Sequence, residues 1–173
     1  TAASLLYQSY HDDPLFMELF RSQSAEYEAR LRAVIREELS LFWQAGQPII
    51  GLFYQEQLLG VACVVKPDSG ISGGRLWHWR LKMLLTAGYL STKQLLQKEE
   101  TIYAAMPARY CHLLAFIAVS PKYQHAGLGH CLMNAVTALV AEDSASAGIG
   151  VFVTLEKYQA FFADDHYYRV CEL

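Results

Sequence analysis

The fold is decided by residues 111–140, which read CHLLAFIAVSPKYQHAGLGHCLMNAVTALV. The first part, Cys111–Val119, is a nearly continuous apolar run whose length suits a strand that is buried on both faces. The last part begins a run over residues 131–142 that has apolar side chains at helical spacing. Between the two lies a turn that contains Gly127 and Gly129. We therefore predict a buried strand, a glycine-containing turn and an amphipathic helix in direct succession.

This junction is a predicted binding site for a phosphate group. The N–H groups at the N-terminus of a helix have no intrahelical partner, and the aligned peptide dipoles favour negative charge there. Gly127 and Gly129 have no Cβ, so a bulky anion can approach the main chain closely. A Walker loop would need Gly-Lys-Ser/Thr, but His130 and Cys131 follow Gly129. The dinucleotide fingerprint G-x-G-x-x-G fails at Leu132, so both nucleotide sites are disfavoured.

The rest of the chain predicts helices and strands around this junction. The predicted elements before it are a short helix capped by Asp12 or Asp13 with Pro14 in its first turn, a helix from Ser24 to Gln44, a hairpin of Ile49–Tyr54 with Leu58–Val65, and two helices over Arg75–Tyr89 and Ser91–Met106. The predicted elements after it are a strand at Val151–Leu155, a helix at Tyr158–Asp164 and a strand at Tyr167–Cys171. This order predicts an α/β (mixed α+β) fold in one domain over residues 1–173, with a mixed sheet flanked by helices.

Composition excludes several classes of function. The net charge of −3, the pI near 6.0 and the lack of a Lys/Arg run give no attraction to nucleic acid. No apolar run approaches the roughly 20 residues that span a bilayer, and the first residues lack the features of a signal peptide. The four cysteines are scattered without a C-x-x-C pair, so we expect no metal site and reduced thiols. A soluble, cytoplasmic protein is expected.

The turn resembles the acetyl-CoA loop of the GNAT superfamily of N-acetyltransferases. The family pattern Q/R-x-x-G-x-G/A stands here as Gln124-His125-Ala126-Gly127-Leu128-Gly129, after a strand end that reads Ile117-Ala118-Val119-Ser120-Pro121. The alternative is a strand-to-helix turn whose glycines serve only packing. The family's order of helices and strands also resembles the whole chain more loosely, with Arg75–Pro107 as a helical insert before the central acetyl-CoA-binding strand.

The resemblance implies acetyl-CoA as co-substrate, and no metal. It implies that the main chain of Ile117, Ala118 and Val119 runs alongside the pantetheine arm. The implied pyrophosphate loop consists of Gln124, His125, Ala126, Gly127, Leu128, Gly129 and His130, and the N–H groups of His125 to His130 hold the anion. An N–H on the strand would also bind the thioester oxygen as negative charge develops on it.

The implied reaction is direct attack of an amine on the thioester, which needs one proton acceptor and one proton donor. The family often supplies the donor from a tyrosine, but the equivalent residue here is Phe162, which has no proton to give. Tyr158, one helical turn earlier, is the candidate replacement, with a core or surface tyrosine as the alternative. Glu156 and His112 are candidate bases, and a structural histidine at the strand entrance is the alternative for His112.

The acceptor is expected to be an amine of a small molecule or a peptide, and the sequence does not define it further. A protein of a different class, one that binds CoA or acyl-CoA as a sensor or regulatory subunit without turnover, is the alternative that Phe162 favours. Exposed edges of a mixed sheet are compatible with a homodimer.

Overall fold

The computed structural model of the chain describes residues 1–67, 110–151, 153, 155–164 and 167. The helices are α1 (Ala2–Tyr10), α2 (Pro14–Leu19), α3 (Tyr27–Gln44), α4 (Leu128–Ala141) and α5 (Gln159–Asp164). The strands are β1 (Ile49–Tyr54), β2 (Gln57–Val65), β3 (His112–Val119) and β4 (Ile149–Val151). Short 3-10 turns at Pro121–Tyr123 and Glu156–Tyr158 precede α4 and α5. Within these residues, none of the helices is both long and apolar enough to cross a membrane.

The strands form one mixed sheet in the order β1-β2-β3-β4. β1 and β2 are an antiparallel hairpin, β2 and β3 are also antiparallel, and β3 pairs with β4 in parallel. The hairpin turn is formed by Gln55 and Glu56, which both have positive φ, as the tight turn between twisted strands requires. The predicted mixed sheet and its hairpin are confirmed.

Helices cover both faces of the sheet and define two hydrophobic clusters. The first cluster joins α1 and α3 to one face, and its buried members include Leu6, Leu31, Ile35, Val61, Cys63, Phe116 and Ala118. The second cluster joins α4 and α5 to the other face, and its buried members are Ala62, Val64, Leu114, Leu132, Met133, Val136 and Phe162. Side chains that alternate along β2 therefore enter different clusters, as in a strand buried on both faces.

Two helix boundaries follow the predicted signals and one does not. The Asp13 carboxylate accepts a hydrogen bond from the Phe16 N–H at 3.4 Å, so Asp13 caps α2 ahead of Pro14. Gly46, with φ of 61°, follows the end of α3. The prediction that Ser24 caps this helix is wrong, because α3 begins at Tyr27 and the Ser24 hydroxyl has no hydrogen-bond partner in the described part of the chain.

Other differences concern the ends of elements. Helix α1 was not predicted at all, although Thr1 caps it through the Ser4 N–H. Helix α4 begins at Leu128, three residues before the predicted start, because the turn ends in a single left-handed glycine. Strand β4 begins at Ile149 rather than Val151. The predicted helices at Arg75–Tyr89 and Ser91–Met106 lie outside the described residues, and so does the strand at Tyr167–Cys171 apart from Tyr167.

Candidate active site

A β-bulge interrupts the pairing of β3 with β2. Cys63 is paired with Phe116 and Val64 with Leu114, so Ala115 has no counterpart. The bulge reverses the alternation of side chains, since Ala115 and Phe116 both pack in the first cluster. Such a bulge bends the strand and aims the main chain beyond it in a new direction.

The other edge of β3 loses its partner at the same place. In the described residues, the parallel pairing with β4 runs from His112 with Ile149 to Leu114 with Val151. Val153, the next described residue after β4, is not in a strand. Among the described residues, the part of β3 that follows the bulge, residues 116–119, therefore has no strand partner on the side where β4 would otherwise continue, and we call this side the gap.

The main chain of β3 is directed alternately into this gap and toward β2. The Ser120 N–H donates to Leu59 O at 2.7 Å, which fixes its direction toward β2. Because neighbouring residues in an antiparallel strand alternate in direction, Ala118 also faces β2, and Ile117 and Val119 face the gap. Of the three residues expected beside the pantetheine arm, the structure thus leaves the main chain of Ile117 and Val119 on the gap side.

One side chain that the sequence analysis missed lies in this gap. The Ile117 N–H donates to Tyr10 Oη at 3.2 Å, and the Tyr10 hydroxyl donates to Ile117 O at 3.3 Å. Burial is the main reason that the pKa of Tyr10 is raised, and charge on Asp13, Cys63 or Tyr158 would raise it further. The apolar residues Ala2, Leu5, Leu6 and Tyr10 are at helical spacing, which is the signal that could have identified α1 and this residue.

The turn after β3 has the backbone shape of an anion cradle. His125 and Gly127 have φ of 63° and 75°, on either side of Ala126, and α4 starts at Leu128 directly afterwards. Turns of this kind can direct successive N–H groups toward a common anion, here at the positive end of a helix. A Cβ on Gly127 would meet no atom within 4 Å, so the turn is open on that side. The Gln124 side chain reaches back from the turn to Val119 O at 3.4 Å.

The second glycine of the turn has a packing role. A Cβ on Gly129 would lie 2.9 Å from Phe161 Cε2 and 3.1 Å from its Cζ. The Phe161 ring also packs against His130, with ring centroids 4.7 Å apart. Gly129 therefore lets α5 lie against the first turn of α4. Packing against Phe161 therefore accounts for Gly129, whereas Gly127 has a left-handed backbone and no such contact.

The turn that leads into α5 carries two of the candidate catalytic residues. Tyr158 is partly exposed, and Lys157 Nζ lies 4.9 Å from the centroid of its ring. Glu156 is exposed at the start of the same turn.

The third candidate, His112, lies at the opposite end of β3. Its side chain is buried, and its Nδ1 is 2.8 Å from Ser146 Oγ. Burial lowers the pKa of His112, and Lys66 acts in the same direction while Asp143 opposes it. The strand rise separates its Cα from that of Ile117 by roughly 17 Å. The structure therefore places His112 at the end of β3 that is far from Ile117.

The described parts of the chain contain no candidate metal site. Those residues contain no group of three or more His, Cys, Asp or Glu side chains placed to hold an ion. The described cysteines, Cys63, Cys111 and Cys131, are free thiols.

Solved acetyltransferases share this architecture. Histone acetyltransferase HPA2 and related acetyltransferase from Corynebacterium glutamicum superposes with a TM-score of 0.63 at 18% identity, over 94% of this chain and 75% of that one. Aminoglycoside antibiotic 6'-N-acetyltransferase from Acinetobacter haemolyticus gives a TM-score of 0.52 at 11% identity, over 96% of this chain and 90% of that one. No protein-family model and no curated protein sequence matches the chain. The chain has the GNAT acetyltransferase fold, as the resemblance in residues 124–129 predicted.

Proposed function

We propose that this protein transfers the acetyl group of acetyl-CoA to an amine of a small molecule or peptide. The observation that carries the proposal is the gap between β3 and β4, where the main chain of Ile117 and Val119 faces outward from the sheet. This gap runs directly into the cradle at the N-terminus of α4. In a long ligand with amide groups and a pyrophosphate, the amides could bond to the main chain of β3 and the pyrophosphate to the N–H groups of the turn that follows it. The structural neighbours, which are acetyltransferases, support the same activity.

The cradle suits the pyrophosphate of CoA. The N–H groups of residues 125–130 are the donors of this turn, and they adjoin the positive end of α4. The left-handed φ of Gly127 is accessible to glycine at no steric cost, and its open side leaves room for a bulky anion. Lys122 and His125 are exposed on the same turn and can add side-chain charge.

The chain's own groups then provide the electrostatic assistance that acyl transfer requires. Acetyl-CoA supplies an activated thioester in the gap. The Ile117 N–H is directed into the gap, and it already binds an oxygen atom, that of Tyr10. We assign it as a donor to the thioester oxygen. Removing one such donor in an acyl-transfer enzyme typically costs about a hundredfold or more in kcat.

Two proton transfers complete the reaction. Tyr158 is the proposed donor to the departing sulfur, since it is an exposed tyrosine on the turn into α5, the helix whose Phe161 packs against His130 in the first turn of α4. Glu156 lies on the same turn and is the proposed acceptor of the amine proton. His112 is left with a structural role, because Ser146 holds its ring at the other end of β3. The single domain, the cytoplasmic location and the homodimer stay predictions.

The test is calorimetric titration of acetyl-CoA into the wild type and into Gly127→Trp. We expect binding to the wild type and loss of detectable binding to the variant, because the indole would occupy the open side of the turn. Screening amines for acetyl-CoA-dependent release of CoA then tests turnover.

A matched control is available at Gly46. This glycine also has a left-handed φ, 61° against 75° for Gly127, and a Cβ on either would meet no atom within 4 Å. Gly46→Trp therefore carries a similar conformational cost, about 1–2 kcal/mol, away from the turn. Equal binding to both variants would contradict the location of the cofactor, and no binding to the wild type would contradict the proposed function. Binding without turnover of any amine would favour the CoA sensor.

A further inference from the structure

The Tyr10 hydroxyl occupies the point at which an acyl oxygen would meet the Ile117 N–H. Its oxygen accepts from that N–H at 3.2 Å, and its proton is donated to Ile117 O at 3.3 Å. Both distances are at the long end of the range for hydrogen bonds, so both bonds are weak and readily exchanged. An acyl oxygen that takes the Ile117 N–H must displace the phenol oxygen, but it also offers the phenol proton a new acceptor.

The ring of Tyr10 is held so that its hydroxyl stays beside this point. Phe16 and Phe116 contact it edge-to-face, with centroid separations of 5.6 and 5.5 Å. Tyr10 is also the last residue of α1, so its side chain can shift without the rest of the helix. It enters from the face of the first cluster, opposite to the face that α4 covers. Tyr10 therefore lies on one face of the gap, and α4 lies on the other face.

We propose that the Tyr10 hydroxyl is a second hydrogen-bond donor, besides the Ile117 N–H, to the thioester oxygen of bound acetyl-CoA. This inference rests on the proposed function, and it makes Tyr10 a catalytic residue that contacts a reacting atom. The reaction needs no proton transfer from Tyr10, because the hydroxyl only donates a hydrogen bond to the oxygen on which negative charge develops.

The ionisation of Tyr10 agrees with this role. Its pKa is raised, mainly by burial, so the hydroxyl keeps its proton throughout the working range of pH. A phenol that remains protonated in an apolar site is a suitable donor to an oxyanion and a poor proton donor to a thiolate. The two tyrosines therefore have different roles. Tyr10 donates a hydrogen bond to the thioester oxygen, and Tyr158 donates a proton to the departing sulfur.

The experiment is isotope-edited infrared spectroscopy of acetyl-CoA that carries ¹³C at the acetyl carbonyl. Hydrogen bonds to a carbonyl lower its stretching frequency, so the wild type should lower it relative to the free ligand. If two donors contribute comparably, Tyr10→Phe should reverse about half of this shift. Tyr7→Phe is the matched control, because it removes a phenol from the same helix at a ring that faces Arg32. It should leave the frequency unchanged.

A second variant changes the donor while keeping the ring and hydroxyl. Tyr10→3-fluorotyrosine makes the phenol more acidic, and therefore a stronger donor, so it should lower the carbonyl frequency below that of the wild type. If both Tyr10 variants bind acetyl-CoA with the wild-type frequency, the inference is overturned while the proposed function stands. Tighter binding by Tyr10→Phe without a frequency shift would also overturn it, because Tyr10 would then only block the site. If the wild type fails to bind acetyl-CoA, both the proposed function and the proposed role of Tyr10 are contradicted.

Discussion

The two halves of β3 have the same apolar character but different surroundings. In the first half, residues 112–114 pair with β4, and Leu113 and Leu114 also pair with β2. In the second half, residues 116–119 pair with β2 alone among the residues that the structure describes. In the first half, a buried histidine is bonded to Ser146. In the second half, a tyrosine from a distant helix bonds to the main chain of Ile117. The comparison teaches that, in the described part of β3, main-chain groups bond to side chains where the strand pairing stops, and such bonds can be exchanged for bonds to a ligand.

The bulge at Ala115 separates the two halves. It reverses which side chains enter each cluster and redirects the main chain that follows. A strand without it would place Ile117 in the register of the first half, with its main chain toward β2. The bulge is therefore the feature that directs the main chain of Ile117 into the gap, where a ligand could reach it.

The largest expected effect is on stability, and it tests whether the first half of β3 is packed more tightly than the second half. Leu114→Ala should lower the free energy of unfolding by about 3 kcal/mol, because its side chain is 4% exposed and lies in the second cluster. Val119→Ala, in the second half, removes a partly buried side chain and should cost about 1 kcal/mol. Urea denaturation measures both. Equal losses would show that the half beside the gap is packed as tightly as the paired half.

The next effect concerns chemistry at the gap. Tyr158→Phe should lower the turnover of acetyl-CoA with an accepted amine by about a hundredfold, because it removes the proposed proton donor to the sulfur. The affinity for acetyl-CoA, measured by calorimetry, should stay the same. Tyr123→Phe, at another exposed tyrosine beside the cradle, is the control and should leave both quantities unchanged. Equal loss of turnover in both variants would remove the assigned role of Tyr158.

The smallest effect concerns the paired half and its histidine. Burial lowers the pKa of His112 from its ordinary value of 6.5, so the folded protein binds a proton here less readily than the unfolded chain does. Stability from this site is complete above about pH 6.5 and decreases as the pH falls toward the lowered pKa. Unfolding measured from pH 7.5 to pH 5 should show this decrease in the wild type and a shallower one in His112→Leu. Identical slopes would mean that folding does not change the pKa of His112.

The local elements of this fold were largely predictable. Apolar runs gave β1, β2 and β3, and the cap at Asp13 with Pro14 gave the start of α2. The failures have physical causes. Ser24 has the chemistry of a cap, but α3 begins at Tyr27, so residue type alone did not identify the cap. The start of α4 was placed too late because a glycine-rich turn reads as loop until its backbone angles are known.

The candidate site was predictable only in part. The sequence by itself determined that a glycine-containing turn joins a buried strand to an amphipathic helix, because apolar periodicity and the conformational freedom of Gly127 act locally. The tertiary structure alone decided that Ala118 turns away from the gap, that Gly129 accommodates Phe161 and that Tyr10 meets Ile117. These facts depend on the bulge and on contacts between residues up to 107 positions apart. Periodicity reports on neighbours in the chain, whereas such contacts exist only after the helices have packed on the sheet.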